Sequence, residues 1–119
     1  MAKILLAEDD DDMRRFLRGI LQKAGHEVQA YGQGNEALAR LEVERFDLLL
    51  TDIVMPVMDG IELARRAAER FPELKIIFIT GFAAVALNRR NGAPKEARVL
   101  SKAVHLRQIV EEVERMIAA

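Results

Sequence analysis

Short runs rich in Ile, Val and Leu alternate along this chain with longer stretches whose apolar residues recur every three or four positions. The short runs fall at Lys3–Ala7, Glu27–Tyr31, 47–51, Lys75–Thr80 and Arg98–Ser101, a length and composition that predict strands. Three of them are nearly continuous in apolar residues, which predicts strands covered on both faces rather than one. Between the first two, Met13, Phe16, Leu17, Ile20 and Leu21 share a helical face, and Gly25 stands just beyond as a C-terminal stop. The same period predicts helices over 35–43, 61–70 and 106–117, the last with Ile109, Val110, Val113 and Ile117 on one stripe. A short helix is expected over 82–90, between Gly81 and the turn formers of 88–94. Five strands alternating with five helices predict an α/β fold, a (βα)5 unit whose right-handed crossovers build an open, doubly wound parallel sheet.

Composition narrows this picture. A chain of 119 residues suffices for one domain, expected to span 1–119. The absence of cysteine excludes disulfides and thiolate metal sites. A net charge of −1, with Lys and Arg dispersed along the chain, gives no basis for nucleic-acid binding. The opening MAKILLAEDD carries neither a signal peptide nor a membrane span, so a cytoplasmic protein without membrane contact is expected.

In a sheet of this kind ligands gather at the carboxyl ends of the strands. The first predicted strand is followed by Glu8-Asp9-Asp10-Asp11-Asp12, the third by Asp52; the fourth ends in Thr80, and Lys102 follows the fifth. Asp11 and Asp12 are read as solvated acids at a helix N-terminus, favoured by its dipole. Glu8 and Asp9 directly follow a buried strand and would face Asp52. Carboxylates so close repel, so either their pKa values rise or a hard cation joins them; Mg²⁺ suits such oxygens. Asp52 precedes a turn marked by Met-Pro and Asp59-Gly60, and alone it could be a cap. A carboxylate beside a bound cation can also attack phosphorus, with Thr80 and Lys102 as donors to phosphoryl oxygens. His26 and His105 are expected at the surface or at a helix start, without catalytic duty.

The blocks LLAEDD, LLLTDIVMPVMDG, IIFITG and VLSK resemble the signature blocks of response-regulator receiver domains, and the likeness spans the whole chain. The resemblance implies a flavodoxin-like receiver fold with strand order 2-1-3-4-5. It implies Asp52 as phosphoacceptor and Mg²⁺ held by Asp9, Asp52 and the backbone carbonyl of Val54, with Glu8 acting mainly through a metal-bound water. Thr80 corresponds to the switch hydroxyl, Lys102 to the lysine that bonds acceptor or phosphoryl oxygen, and Gly81 leaves access open. A histidine kinase or histidine phosphotransfer protein would supply the phosphoryl group. The partner face would comprise the predicted fourth helix, fifth strand and fifth helix, roughly 82–116. Such a protein is a signalling module rather than a metabolic enzyme, expected as a monomer or weak dimer. AEDD, FDLLLTDIVMPVMDGIELA, FITGFAAVALN and VLSK with a following HLR are further similar to the CpdR group of single-domain regulators. That likeness implies regulated proteolysis through ClpXP as the output, primed by the unphosphorylated form.

Two positions depart from the receiver pattern. Ala103 follows Lys102 where receivers usually place a cis proline; a cis bond before alanine costs ~2.5–4 kcal/mol, so a trans bond and an adjusted loop are expected. Val99 stands where many receivers carry Tyr or Phe, so Phe82, two residues after Thr80, is expected to take part of the readout. These departures keep open a pseudo-receiver that acts as an adaptor without phosphate. A receiver cut from a larger regulator is the third reading.

Overall fold

The computed structural model describes residues 1–81, 94, 96–102 and 106–118. The helix expected over 82–90, Phe82, Ala103 with its peptide bond to Lys102, and His105 all lie outside the described residues. The described elements are β1 (Lys3–Ala7), α1 (Asp11–Lys23), β2 (Glu27–Tyr31), α2 (Gly34–Leu41), β3 (Leu48–Thr51), α3 (Gly60–Arg70), β4 (Lys75–Thr80), β5 (Arg98–Ser101) and the C-terminal helix, here α4 (Leu106–Ala118). All strands pair in parallel, in the order β2-β1-β3-β4-β5. The expected sheet and order are therefore present, and the strand boundaries differ from the sequence reading only at Asp47, which lies just before β3.

The continuous apolar runs have a direct cause. Successive strand side chains point to opposite faces, and here both faces are packed. Ile4 and Leu6, Leu48 and Leu50, and Ile77 and Ile79 meet Leu17 and Leu21 of α1 and Ile109, Val113 and Met116 of α4. The alternate residues Leu5, Ala7, Leu49, Ile76 and Phe78 meet Ala37 and Leu41 of α2 and Ile61, Leu63, Ala64 and Ala67 of α3. Fully burying one such Leu or Ile is worth ~1.5–3 kcal/mol, so the central strands anchor the structure.

Local signals set the helix ends. Asp10 caps α1, accepting the Met13 amide at 2.9 Å, and Asp59 caps α3, accepting the Glu62 amide at 2.8 Å; such caps contribute ~0.5–2 kcal/mol each. Gly25 has φ of 100°, the left-handed conformation expected of a residue ending α1. Asp11 and Asp12 lie exposed in the first turn of α1, as read from the sequence, where they pair with Arg14 and Arg15.

His26 corrects the sequence reading. Its ring is buried, with Nδ1 accepting the Ala2 amide at 3.1 Å and Nε2 lying 3.3 Å from Glu114. It follows the glycine turn, so its neighbours suggest solvent, but the ring fills the space between the start of β1 and α4. Only the approach of α4 reveals this.

Candidate functional site

Strand register brings the site together. Ala7 pairs with Thr51, and the ladder continues through the Asp52 amide, which donates to the Ala7 carbonyl at 2.9 Å. Glu8 and Asp52 therefore emerge side by side from β1 and β3. On the other side Thr80 pairs with Ser101, and the Lys102 amide donates to the Thr80 carbonyl at 2.9 Å, placing Lys102 at the same sheet edge.

Glu8, Asp52 and Thr80 are buried, whereas Asp9 is exposed. Glu8, Asp9 and Asp52 each offer a carboxylate oxygen within 4.8 Å of one another. Lys102 Nζ lies between the two buried acids, 2.9 Å from Asp52 Oδ2 and 3.0 Å from Glu8 Oε1. The first contact is an aligned hydrogen bond. The second is an ion pair without that alignment, so Glu8 Oε1 is buried with no hydrogen-bond partner. Asp52 Oδ1 accepts the Ile53 amide at 2.7 Å, and Glu8 Oε2 accepts the Asp10 amide at 3.1 Å.

Charge follows from this geometry. Burial pushes the Glu8 carboxyl up to about 7, with the nearby Asp52 charge adding to the effect and the Asp10 amide and Lys102 opposing it. Burial works against the Lys102 ammonium, but its hydrogen bond to Asp52 and the attraction of the Asp52 and Glu8 carboxylates outweigh it and raise its pKa. One ammonium thus faces three clustered acids. The donor set is all oxygen, and one buried carboxylate oxygen lacks a hydrogen bond. Both features fit a hard divalent cation such as Mg²⁺.

The other expected positions divide. Val54 is exposed on the loop after Asp52. Gly81 is exposed, and a Cβ there would meet no heavy atom within 4 Å, so packing among the described residues does not require glycine. Val99 packs into the cluster on the α2–α3 side of the sheet, with Phe78 among its members.

Three supporting residues escaped the sequence reading. At Gly60 a Cβ would stand 1.8 Å from the Asp52 carbonyl oxygen and 2.9 Å from Ile53 Cα, so α3 butts directly against the backbone carrying Asp52. Its amide also donates to the Ile53 carbonyl at 2.8 Å. Val57 has φ of 72°, and the Met58 amide donates to the Pro56 carbonyl at 2.8 Å, a strained three-residue turn. Arg14 Nη1 donates to the Glu8 carbonyl at 2.8 Å. The MPVMDG spacing pointed to a turn, but close contact at Gly60 and the reach of Arg14 are tertiary facts.

The family model of the response regulator receiver domain matches residues 4–114. The chain is 63% identical over 119 residues to the response regulator receiver protein CpdR of Brucella abortus, covering all of this chain and 99% of that protein. Among solved structures it is similar to a response regulator receiver protein from Sinorhizobium medicae, with TM-score 0.89 and 28% identity over 98% of this chain and 94% of the other. It is also similar to response regulator TrrA of Thermotoga maritima, solved in complex with Mg²⁺-BeF, with TM-score 0.85 and 28% identity over 98% and 99% of the two chains. By a family match over nearly its whole length and an end-to-end relative, the chain belongs to the response regulator receiver domain family of two-component systems.

Proposed function

We propose that Asp52 accepts a phosphoryl group from a histidine kinase or histidine phosphotransfer protein, and that the phosphorylated chain signals by changing its protein contacts. The observation that carries this reading is the placement of a buried, well-oriented Asp52 carboxylate against Lys102, Glu8 and Asp9. An Asp52 oxygen forms a bond to phosphorus as the bond from phosphorus to the donor imidazole nitrogen breaks, the electron pair leaving with the imidazole. The Ile53 amide fixes the carboxylate plane for this attack, and burial strips it of competing water. Lys102 and the Thr80 hydroxyl are the donors to the transferred oxygens.

Asp9, Asp52 and the Val54 carbonyl are the proposed ligands of Mg²⁺, with Glu8 acting mainly through a bound water. The chemistry that the ion supplies when bound is neutralisation of charge on the phosphoryl oxygens and orientation of the donor. The likeness to a receiver solved with Mg²⁺-BeF supports this assignment.

Phosphorylation adds negative charge at Asp52, and Lys102, directly continuous with β5, is the residue drawn toward it. The output face then includes β5 and α4. These are tied by buried Glu112, which lies 3.0 Å from Arg98 and 2.5 Å from Arg115. A shift of β5 is in this way passed to α4. By similarity to CpdR the output is control of proteolysis through a protease such as ClpXP, in the cytoplasm. A histidine kinase loaded with radiolabelled phosphate tests the reading: label should move to the wild type and not to Asp52→Ala. Transfer that persists in the variant removes Asp52 from its role, and no transfer from any kinase or phosphotransfer protein of the source cell favours a phosphate-independent adaptor. The latter reading draws on Ala103 and Val99.

A further inference from the structure

Between the end of β1 and α1, the acidic turn Glu8–Asp10 is held by residues beyond the turn itself. The Glu8 amide donates to the Tyr31 carbonyl at 3.0 Å, the Asp10 amide closes back on Glu8 Oε2 at 3.1 Å, and the Glu8 carbonyl accepts Arg14 Nη1 at 2.8 Å. The other arm of the Arg14 guanidinium, Nη2, donates to Asp11 Oδ1 at 2.5 Å. The side chain is three-quarters buried. On its far side it lies against Gly32, where an ideal Cβ would stand 3.1 Å from Nη1. Gly32 has no positive φ among the described backbone, so space for the guanidinium is what this position offers. One planar group therefore joins the end of β1, the first turn of α1 and the residue after β2.

Resting on the cation-binding reading above, we infer that Arg14 is a positioning residue that sets the affinity of the Glu8–Asp9–Asp52 cluster for Mg²⁺. It touches none of the reacting atoms. Two effects of opposite sign meet in it. As a positive charge near three acids it opposes a second cation; as a clamp on the Glu8 backbone it holds two carboxylates where a cation can use them. The charge is already paired with Asp11, which weakens the first effect, whereas no other side chain in the described structure donates to the Glu8 carbonyl. Positioning therefore dominates. A lysine keeps the charge but replaces a two-armed fork with a point donor, and so keeps only part of the clamp.

The test is Mg²⁺ titration of the full chain without phosphodonor, followed by amide chemical shifts, for wild type, Arg14→Ala and Arg14→Lys, each first shown to unfold cooperatively. Outer-sphere ligand supports typically govern about 10–100-fold in metal affinity. Arg14→Ala should bind at least about tenfold more weakly than wild type, with Arg14→Lys in between. A purely electrostatic Arg14 gives the opposite sign, so equal or tighter binding by Arg14→Ala overturns the inference. Should Arg14→Ala fail to fold, wild-type affinity in Arg14→Lys overturns it equally. A wild type with no saturable Mg²⁺ binding instead defeats the cation-binding reading, and the inference falls with it.

Discussion

Gly60→Ala should damage the proposed phosphorylation site from behind, by way of the backbone. The new Cβ would meet the Asp52 carbonyl oxygen at 1.8 Å, whereas ordinary contact begins at 3.4 Å, so α3 and the end of β3 must part by about 1.5 Å. The atoms in the way are all backbone, and no flexible side chain can yield instead. Overpacking of this kind costs ~1–3 kcal/mol, and separation also strains the bond from the Gly60 amide to the Ile53 carbonyl, worth about 1 kcal/mol. Reduced entropy of the unfolded chain returns only ~0.4–1 kcal/mol. The net loss is about 1–3 kcal/mol. At ~2.1 cal/mol/K per residue over 119 residues, the melting temperature should drop by roughly 4–12 °C. Because Asp52 moves with its carbonyl, and a 1 Å misplacement can cost ~100-fold in rate, phosphorylation by a small-molecule donor should slow by about 10–100-fold below the melting range. Thermal unfolding and intact-mass kinetics measure the two effects. Gly19→Ala is the control: it sits exposed within α1 with nothing within 4 Å of its Cβ, and should stabilise by ~0.5–1 kcal/mol. A Gly60→Ala protein with wild-type melting and wild-type kinetics would refute the claim that α3 braces Asp52.

Further outcomes follow from the same geometry. Glu8 has its folded pKa raised to about 7 from 4.5, so the stability linked to its protonated form is complete below pH 4.5 and is lost as pH rises through 7. Metal-free melting temperature should therefore decline across that window, and Glu8→Gln, which cannot ionise, should flatten the decline; an unchanged slope contradicts the assignment. Val57→Gly relieves a branched side chain from positive φ, a conformation costing ~1–3 kcal/mol, against the ~0.5–1 kcal/mol entropic cost of glycine. A gain of about 1 kcal/mol in urea unfolding is expected, and a loss would show that the turn is not strained. Glu112→Gln removes the ion pair with Arg98 that links β5 to α4 and the pair with Arg115 within α4, and amide exchange in α4 should quicken while that of β1 and β3 stays unchanged.

Much of this was legible in the sequence for a physical reason: a strand buried on both faces cannot hide its composition. Leu48, Leu49 and Leu50 alternate between two cores, so all must be apolar, and residues that break the run mark the strand end where chemistry collects. Glu8, Asp52, Thr80 and Lys102 were picked out in that way, and the register brings them to one end of the sheet. Supports that cross between elements were not. Arg14 reads as one more cation on a helix, Gly60 as a turn residue and His26 as a surface or helix-start histidine, because what each touches is fixed by how α1, α3 and α4 dock on the sheet. The exposure of Gly81 and the partial burial of Val99 against the α2–α3 side likewise depend on docking, not on local pattern.

The central claim is Mg²⁺-assisted phosphorylation of Asp52, and its most direct test is the mass of the intact protein after incubation with a small-molecule phosphodonor, with and without Mg²⁺, beside Asp52→Ala. The account predicts a gain of one phosphoryl group that requires both the metal and Asp52. No adduct under any condition, or an adduct that forms equally in Asp52→Ala, would contradict it.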